Sequence, residues 1–290
     1  MFLKTFLALV LTASTGMPAM AIDLAPLWDF NQPELSEQRF QNAMLGASPD
    51  DQLILQTQIA RTHGLRRDFA KAQGLLRSME AQITKASAEV RVRHALEWGR
   101  TLASATHGAT PPNAAALDGA RTAYMKAYSL AKAEQLDTLA IDALHMLAFV
   151  DTAPADQLKW GQEALAIALA SRQPTARKWE ASLRNNIGMA LHQLGRFEEA
   201  LTEFKQAVVL REAAGNAQSI RVAHWMVAWT LRALQRVDEA LVKQLWLERE
   251  CAAAGAPDPY VFEELEHLYR AKGDTPKAEH YAQLKTTHAK

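Results

Sequence analysis

The chain lacks most of what would tie a fold down by covalent or metal chemistry. It has one cysteine, Cys251, which excludes a disulfide framework and any multi-cysteine metal site. Glycine is scarce, at 13 residues against 54 alanines, and that imbalance points toward helices. Neither sign of charge is in excess: 32 Lys and Arg face 32 Asp and Glu, for a formal net charge of zero. Phosphate binding needs a basic surplus, so nucleic acid is not expected as the main partner. No Walker loop, G-x-G-x-x-G, H-E-x-x-H or G-x-S-x-G occurs, and no Ser, His and Asp spacing suggests a triad. What is present is a hydrophobic fraction of 49%, ample for a core, so wholesale disorder is excluded.

The first 21 residues read as an export signal. Lys4 supplies a positive charge, an apolar run follows from Thr5 to about Thr12, and Ala19-Met20-Ala21 fits the small-x-small pattern before a cleavage point. The run is shorter than the roughly 20 residues a membrane span needs, and no later stretch qualifies as one. The expectation is an exported protein, periplasmic in a double-membrane bacterium, with no membrane span after removal of the signal. Residues 22–50, with Trp28-Asp29-Phe30 and a helix near Glu34–Leu45, are expected to cap the structure that follows.

A register of about 40 residues is the strongest signal in the chain. Leu191, Leu194, Arg196, Glu199, Ala200 and Leu201 recur as Leu231, Leu234, Arg236, Glu239, Ala240 and Leu241, and Ala213-Ala214-Gly215 recurs as Ala253-Ala254-Gly255. Each unit reads as two amphipathic helices. Ile187-Gly188-x-x-Leu191, then Ala200-x-x-x-Phe204-x-x-Ala207, places one face of each helix inward. Gly195 lets the chain turn between the helices, and Gly215 marks the end of the second.

This pattern resembles the tetratricopeptide repeat family, and is similar to exported bacterial proteins of that family. Gly188, Ala200 and Ala207 stand where the family keeps small residues because two helix backbones approach closely. Three clear units are expected at 181–215, 221–255 and 259–290, and three degenerate ones at 53–86, 92–135 and 137–171. The resemblance implies an all-α, right-handed solenoid of about six helix-turn-helix repeats. With no catalytic motif and an export signal, the expected function is a non-enzymatic scaffold that needs no cofactor and binds a protein or peptide in the cell envelope. The alternative is a receptor for a small peptide or metabolite enclosed by the solenoid.

In that family the first helix of each repeat lines a concave surface. Carried over position by position, the expected groove residues are Arg61 in the first unit, Arg93 and Arg100 in the second, and Asp142 and His145, with Phe149, in the third. The fourth unit offers Asn185, Met189 and His192, the fifth Trp225, Trp229 and Arg232, and the sixth Glu263, His267 and Arg270. Tryptophan and arginine are common anchors of peptide contacts. Two plainer readings stand beside this one: Trp225 as packing between repeats, and the arginines as a solvated face balanced by Glu97 and Asp142. Asn186 reads as a structural residue. The family's carboxylate clamp is not matched, since Thr57 and Arg61 occupy the corresponding first-unit positions. No metal site is expected: His280 and His288 are eight apart near the end of the sequence and form no tight ligand cluster, and Cys251 reads as a half-buried small residue.

Overall fold

A computed structural model describes residues 22–108 and 112–288, so the expected export signal lies outside the described residues. A 3-10 turn (Ala25–Leu27) and α1 (Pro33–Ala43) come first. Then follow α2 (Pro49–Leu65), α3 (Phe69–Ser78), the short α4 (Glu80–Ile83), α5 (Ala88–Leu102), α6 (Ala114–Ala133), α7 (Asp137–Leu147) and α8 (Pro154–Ala170). After the short α9 (Pro174–Arg177) come α10 (Glu180–Gln193), α11 (Phe197–Ala214), α12 (Ala217–Ala233), α13 (Val237–Ala253), α14 (Pro259–Ala271) and α15 (Thr275–His288). There is no strand among the described residues.

The helices pack as successive antiparallel pairs, α2/α3, α5/α6, α7/α8, α10/α11, α12/α13 and α14/α15. The second helix of each pair also packs on the first helix of the next. The result is the all-α, right-handed solenoid of about six repeats that the sequence implied. Helix starts are set by local chemistry. Ser48, Ser87, Asn113 and Asn216 each accept a backbone N–H from the first turn of the helix they precede. Asn113 caps α6, so that helix starts at Ala114. In the third pair Pro154 is the first residue of α8, while α7 has already ended at Leu147.

Four pairs share one turn. The N–H groups of Asp68, Arg196, Arg236 and Asp274 reach back five residues to the carbonyls of His63, Leu191, Leu231 and Tyr269, at 2.9, 2.9, 2.9 and 3.0 Å. The residue before each of these donors is left-handed. Gly195 (φ 73°) and Gly273 (φ 75°) adopt that conformation freely, whereas Arg67 (φ 64°) and Gln235 (φ 61°) hold it with a Cβ in place.

Close helix approach explains the small residues. A Cβ on Gly188 would sit 2.6 Å from the Phe204 ring, and one on Gly99 would sit 2.5 Å from the Tyr124 ring. Both aromatic rings are fully buried. At the matching positions of the fifth pair the chain carries Ala228 and Gln244, and in the first pair Ala60 and Leu76. Glycine is thus used where a ring must be cleared, and alanine where the facing side chain is not a ring. Gln244 is fully buried, with neither amide atom hydrogen-bonded within the protein.

Apolar side chains form one large central core from α5 to α14 and smaller cores at each end. Trp225 and Leu241 touch both the central and the C-terminal core. At the other end Trp28 stacks on Phe30 at 4.6 Å, meets Phe40 edge-on, and donates its indole N–H to buried Gln58 at 3.2 Å. The N-terminal segment is held against α2 in this way.

Candidate functional site

The first helices α2, α5 and α7 bring four charged side chains into one cavity of about 260 Å³. Arg100 stands at the centre. It donates to Glu97 Oε1 at 2.5 Å and to Asp142 Oδ1 at 2.5 Å. The side chains of Arg100, Glu97 and Asp142 are only 11%, 4% and 14% exposed, so this is a desolvated network rather than a solvated face. Burial opposes the charge on Arg100, but Asp142 and Glu97 more than offset it and hold its pKa well above the ordinary range. Burial likewise opposes the Asp142 carboxylate, and Arg100 and Arg61 overcome it, keeping the group below its usual pKa.

Arg61 is in a different position. Its nearest carboxylate oxygen is the same Glu97 Oε1, at 3.7 Å, which Arg100 already occupies. Its guanidinium lies over the rings of Trp28 and Phe30, 5.7 and 5.6 Å from their centroids. Burial, then the neighbouring Arg100, push the Arg61 pKa down, and Glu97 and Asp142 offset this only in part. The other oxygen of Glu97 is buried without a partner.

A second cavity of about 270 Å³ shares His145 and Phe149 with the first. Trp160, Asn186, Met189 and Gln193 also line it. His145 is wedged between Phe149 and Trp179, with ring centroids at 5.3 and 5.4 Å. Burial pushes its pKa down, so the ring is neutral at pH 7 and its Nδ1 can accept the Asn186 amide at 3.4 Å. Asn186, read from sequence as structural, is therefore exposed in the groove. Asn185 lines neither of these cavities and lies on the side of α10 that carries His192.

Farther along, aromatic rings form a ladder across three pairs. His192 on α10 stacks on Trp229 of α12 at 3.4 Å, Trp229 stacks on Trp225 at 5.7 Å, and Trp225 meets Tyr260 edge-on at 6.4 Å. Both tryptophans are half-buried and pack against the central core, so the ladder joins repeats while leaving part of each ring open. A third, apolar cavity of about 500 Å³ lies between Trp225, Leu247, Cys251, Pro257 and Tyr260. Cys251 is 4% exposed and burial raises its thiol pKa, which fits packing rather than nucleophilic chemistry.

Arg232 corrects the expectation of a free groove arginine. It grips Glu264 through two bonds of 2.7 Å, and Glu264 is 3% exposed. The ion pair ties α12 to α14, so removing Arg232 would strand a buried carboxylate.

His192 makes the ladder sensitive to acid. Burial, reinforced by Arg232, pushes its pKa down to about 4, from an ordinary value near 6.5. The unfolded chain takes up the proton first, so this group contributes stability above pH 6.5 that is lost as pH falls toward 4. His192→Gln is expected to flatten the fall in melting temperature between pH 6.5 and pH 4. A parallel decline in both proteins would show that His192 does not carry the effect.

The remaining expected groove residues stand apart from the two central cavities. Arg93 pairs with Glu89 at 2.8 Å and lies beside Leu24 and Leu136 at one edge. Glu263 lies 3.8 Å from Lys285, Arg270 is exposed and paired with Glu266, and His267 is half-buried. The structure thus brings Arg61, Arg100, Asp142, His145 and Met189 around two joined cavities, and His192, Trp225 and Trp229 into the ladder. Trp179 and Trp160 escaped the sequence reading. Trp179 precedes the expected start of its repeat, and Trp160 sits on a second helix, where groove contacts were not sought. Thr57 is fully buried with its hydroxyl on the Ile54 carbonyl, so no carboxylate clamp forms there. Among the described residues no group of three or more His, Cys, Asp or Glu could hold a metal ion.

The comparisons agree with this architecture. Residues 179–242 match the tetratricopeptide repeat family model, and no curated protein matches the chain. The apo form of RapI is similar with a TM-score of 0.71 at 11% identity, over 90% of this chain and 72% of that one. A signal transduction ATPase with numerous domains from Pyrococcus horikoshii, which carries a tetratricopeptide repeat sensor, gives 0.69 at 12% identity, over 88% of this chain and 39% of that one. A Rap protein complexed with competence and sporulation factor gives 0.54 at 14% identity, over 90% and 72%. At these identities the likeness concerns the fold. The chain is a helical-repeat solenoid with tetratricopeptide repeats over residues 179–242.

Proposed function

We propose that the protein is a non-enzymatic scaffold whose inner groove binds an extended segment of a peptide or protein partner. The observation that carries this is the joining of two cavities at His145 and Phe149, beside a half-open ladder of His192, Trp229 and Trp225 on the following pairs. A row of separate pockets on one face suits alternate side chains of an extended chain. The similarity to a Rap protein seen with a bound factor is consistent with that use of the fold. The convergence of Arg61, Arg100, Glu97 and Asp142 in one cavity also favours a second reading, a receptor that encloses a short peptide or metabolite.

Lys4, the apolar run and Ala19-Met20-Ala21 support action in the cell envelope. The test is affinity capture from envelope extract, with N-terminal sequencing of the bait expected to begin near Ile22. Met189→Asp and Phe149→Asp place a charge in the apolar part of the groove, and each is expected to weaken capture at least tenfold while the fold persists. Undiminished capture by both variants would remove the groove from the binding role.

A further inference from the structure

We infer that cleavage between Ala21 and Ile22 frees an ammonium ion that takes Asp51 as its counter-ion and locks the N-terminal segment onto α2. This rests on the export reading above and goes beyond it, because it gives the cut a consequence inside the fold.

Ile22 is held through both its side chain and its nitrogen. The side chain is half-buried and packs with the two N-terminal cores, one built around Leu53 and Val90 and the other around Phe40 and Leu55. The nitrogen lies 3.4 Å from Asp51 Oδ1. That is long for an amide hydrogen bond and ordinary for an ion pair. Asp51, in the first turn of α2, accepts the Ser48 hydroxyl on Oδ2 at 2.7 Å and donates its own N–H to Ser48 Oγ at 3.2 Å. This reciprocal cap fixes the carboxylate and leaves Oδ1 facing Ile22. No Lys, Arg or His forms an ion pair with Asp51 among the described residues. Its neighbour Asp50 accepts the Ser87 N–H at 3.1 Å, so two carboxylates stand side by side without a cation between them.

A signal peptidase supplies the missing charge by adding one water across the Ala21–Ile22 amide. The C–N bond breaks, the Ala21 carbonyl carbon takes the water oxygen and leaves as a carboxylate, and both water protons end on the Ile22 nitrogen as an ammonium. The precursor therefore presents a neutral amide to Asp51, and the processed chain presents a cation. The gain reaches the groove along the same segment. Trp28 donates to buried Gln58, and Trp28 and Phe30 lie over the guanidinium of Arg61, which lines the first cavity.

The charged groups around the Ile22 nitrogen are Asp50 and Asp51 of α2, Asp23 beside it in the chain, and the Glu89–Arg93 pair of α5. Leu136, Thr138, Gln173 and Thr175 on the remaining sides carry no charge. Negative charge prevails, so the folded amine should titrate above the value of about 7.7–8.0 for a free chain end. A raised folded pKa contributes stability that is complete below about pH 7.7 and lost as pH rises through the folded value.

Four chains test this: one beginning at Ile22, one that keeps Ala19-Met20-Ala21 before it, and both with Asp51→Asn. The pH dependence of N-terminal acetylation, read by peptide mass spectrometry, gives the amine pKa. In the chain beginning at Ile22 it should lie about 1 unit or more above that of the longer chain, and Asp51→Asn should remove most of the difference. The Ile22 chain should melt a few degrees higher than the longer one at about pH 7, with the gap closing by about pH 10 and absent in the Asp51→Asn pair. An Ile22 amine with an ordinary pKa, or a melting gap unchanged by Asp51→Asn, would overturn the inference. If N-terminal sequencing from cells still gives Ile22, that result leaves the export reading standing. A chain that begins elsewhere in cells overturns both, and the capture tests with Met189→Asp and Phe149→Asp judge the groove separately.

Discussion

Arg100→Met should lower the unfolding free energy by about 3–5 kcal/mol, measured by urea denaturation with an unchanged m-value. The size follows from what is left behind. Glu97 and Asp142 are almost fully buried and would lose the hydrogen-bonded cation between them. Arg61, 3.7 Å from Glu97 Oε1, is ion-paired with it without a hydrogen bond and would replace Arg100 only in part. The network itself is a different matter from its breakage. Replacing Glu97, Arg100 and Asp142 together by Leu, Met and Leu removes the stranded carboxylates but leaves Arg61 without its counter-charges, so only part of the loss should be recovered. An Arg100→Met variant within 1 kcal/mol of the parent would mean that water reaches these carboxylates and that the cavity is wetter than its packing implies.

Phe204→Ala should cost about 3–5 kcal/mol, since it empties a fully buried ring site in the central core. Gly188→Ala should cost about 1–3 kcal/mol from the opposite cause, a methyl group driven against the same ring. The two effects are coupled. Where the fifth pair has no ring it carries alanine in place of glycine, as Ala228 with Gln244. Combining Gly188→Ala with Phe204→Leu should therefore be less damaging than the sum of the single changes by more than about 0.5 kcal/mol. Strict additivity in thermal or chemical unfolding would show that the ring does not limit the approach of α10 and α11.

Much of the fold was legible because it repeats. The pairing of Leu191 with Leu231 and of Gly215 with Gly255 carries register, and register with helical spacing determines which faces meet. The site was legible only in part. Arg61, Arg100, Asp142 and His145 lie at the expected groove positions because α2, α5 and α7 keep a regular phase. Sequence could not show that Arg100 is saturated while Arg61 is not, since that depends on distances between helices more than 30 residues apart. Arg232 looked like a surface residue because its partner, Glu264, belongs to the next pair and shows no local spacing to it. On α10 Asn186 lines the second cavity and Asn185 does not, while Met189 and His192 stand at the expected positions.

The tryptophan shared by the central and C-terminal cores has a bearing on cooperativity. In a one-dimensional array each unit is held by its own stability and by the interfaces it shares, and the last pair shares only one. Trp225, with Leu241 and the Arg232–Glu264 pair, forms a junction that is expected to make α14 and α15 melt with their neighbours rather than before them. A partner side chain stacked on the open part of the ladder, as proposed above, would press on that junction from outside. Its occupancy would then be felt as tighter thermodynamic coupling between two folding units, with amide exchange slowed along α14 and α15 and the curvature of the solenoid unchanged.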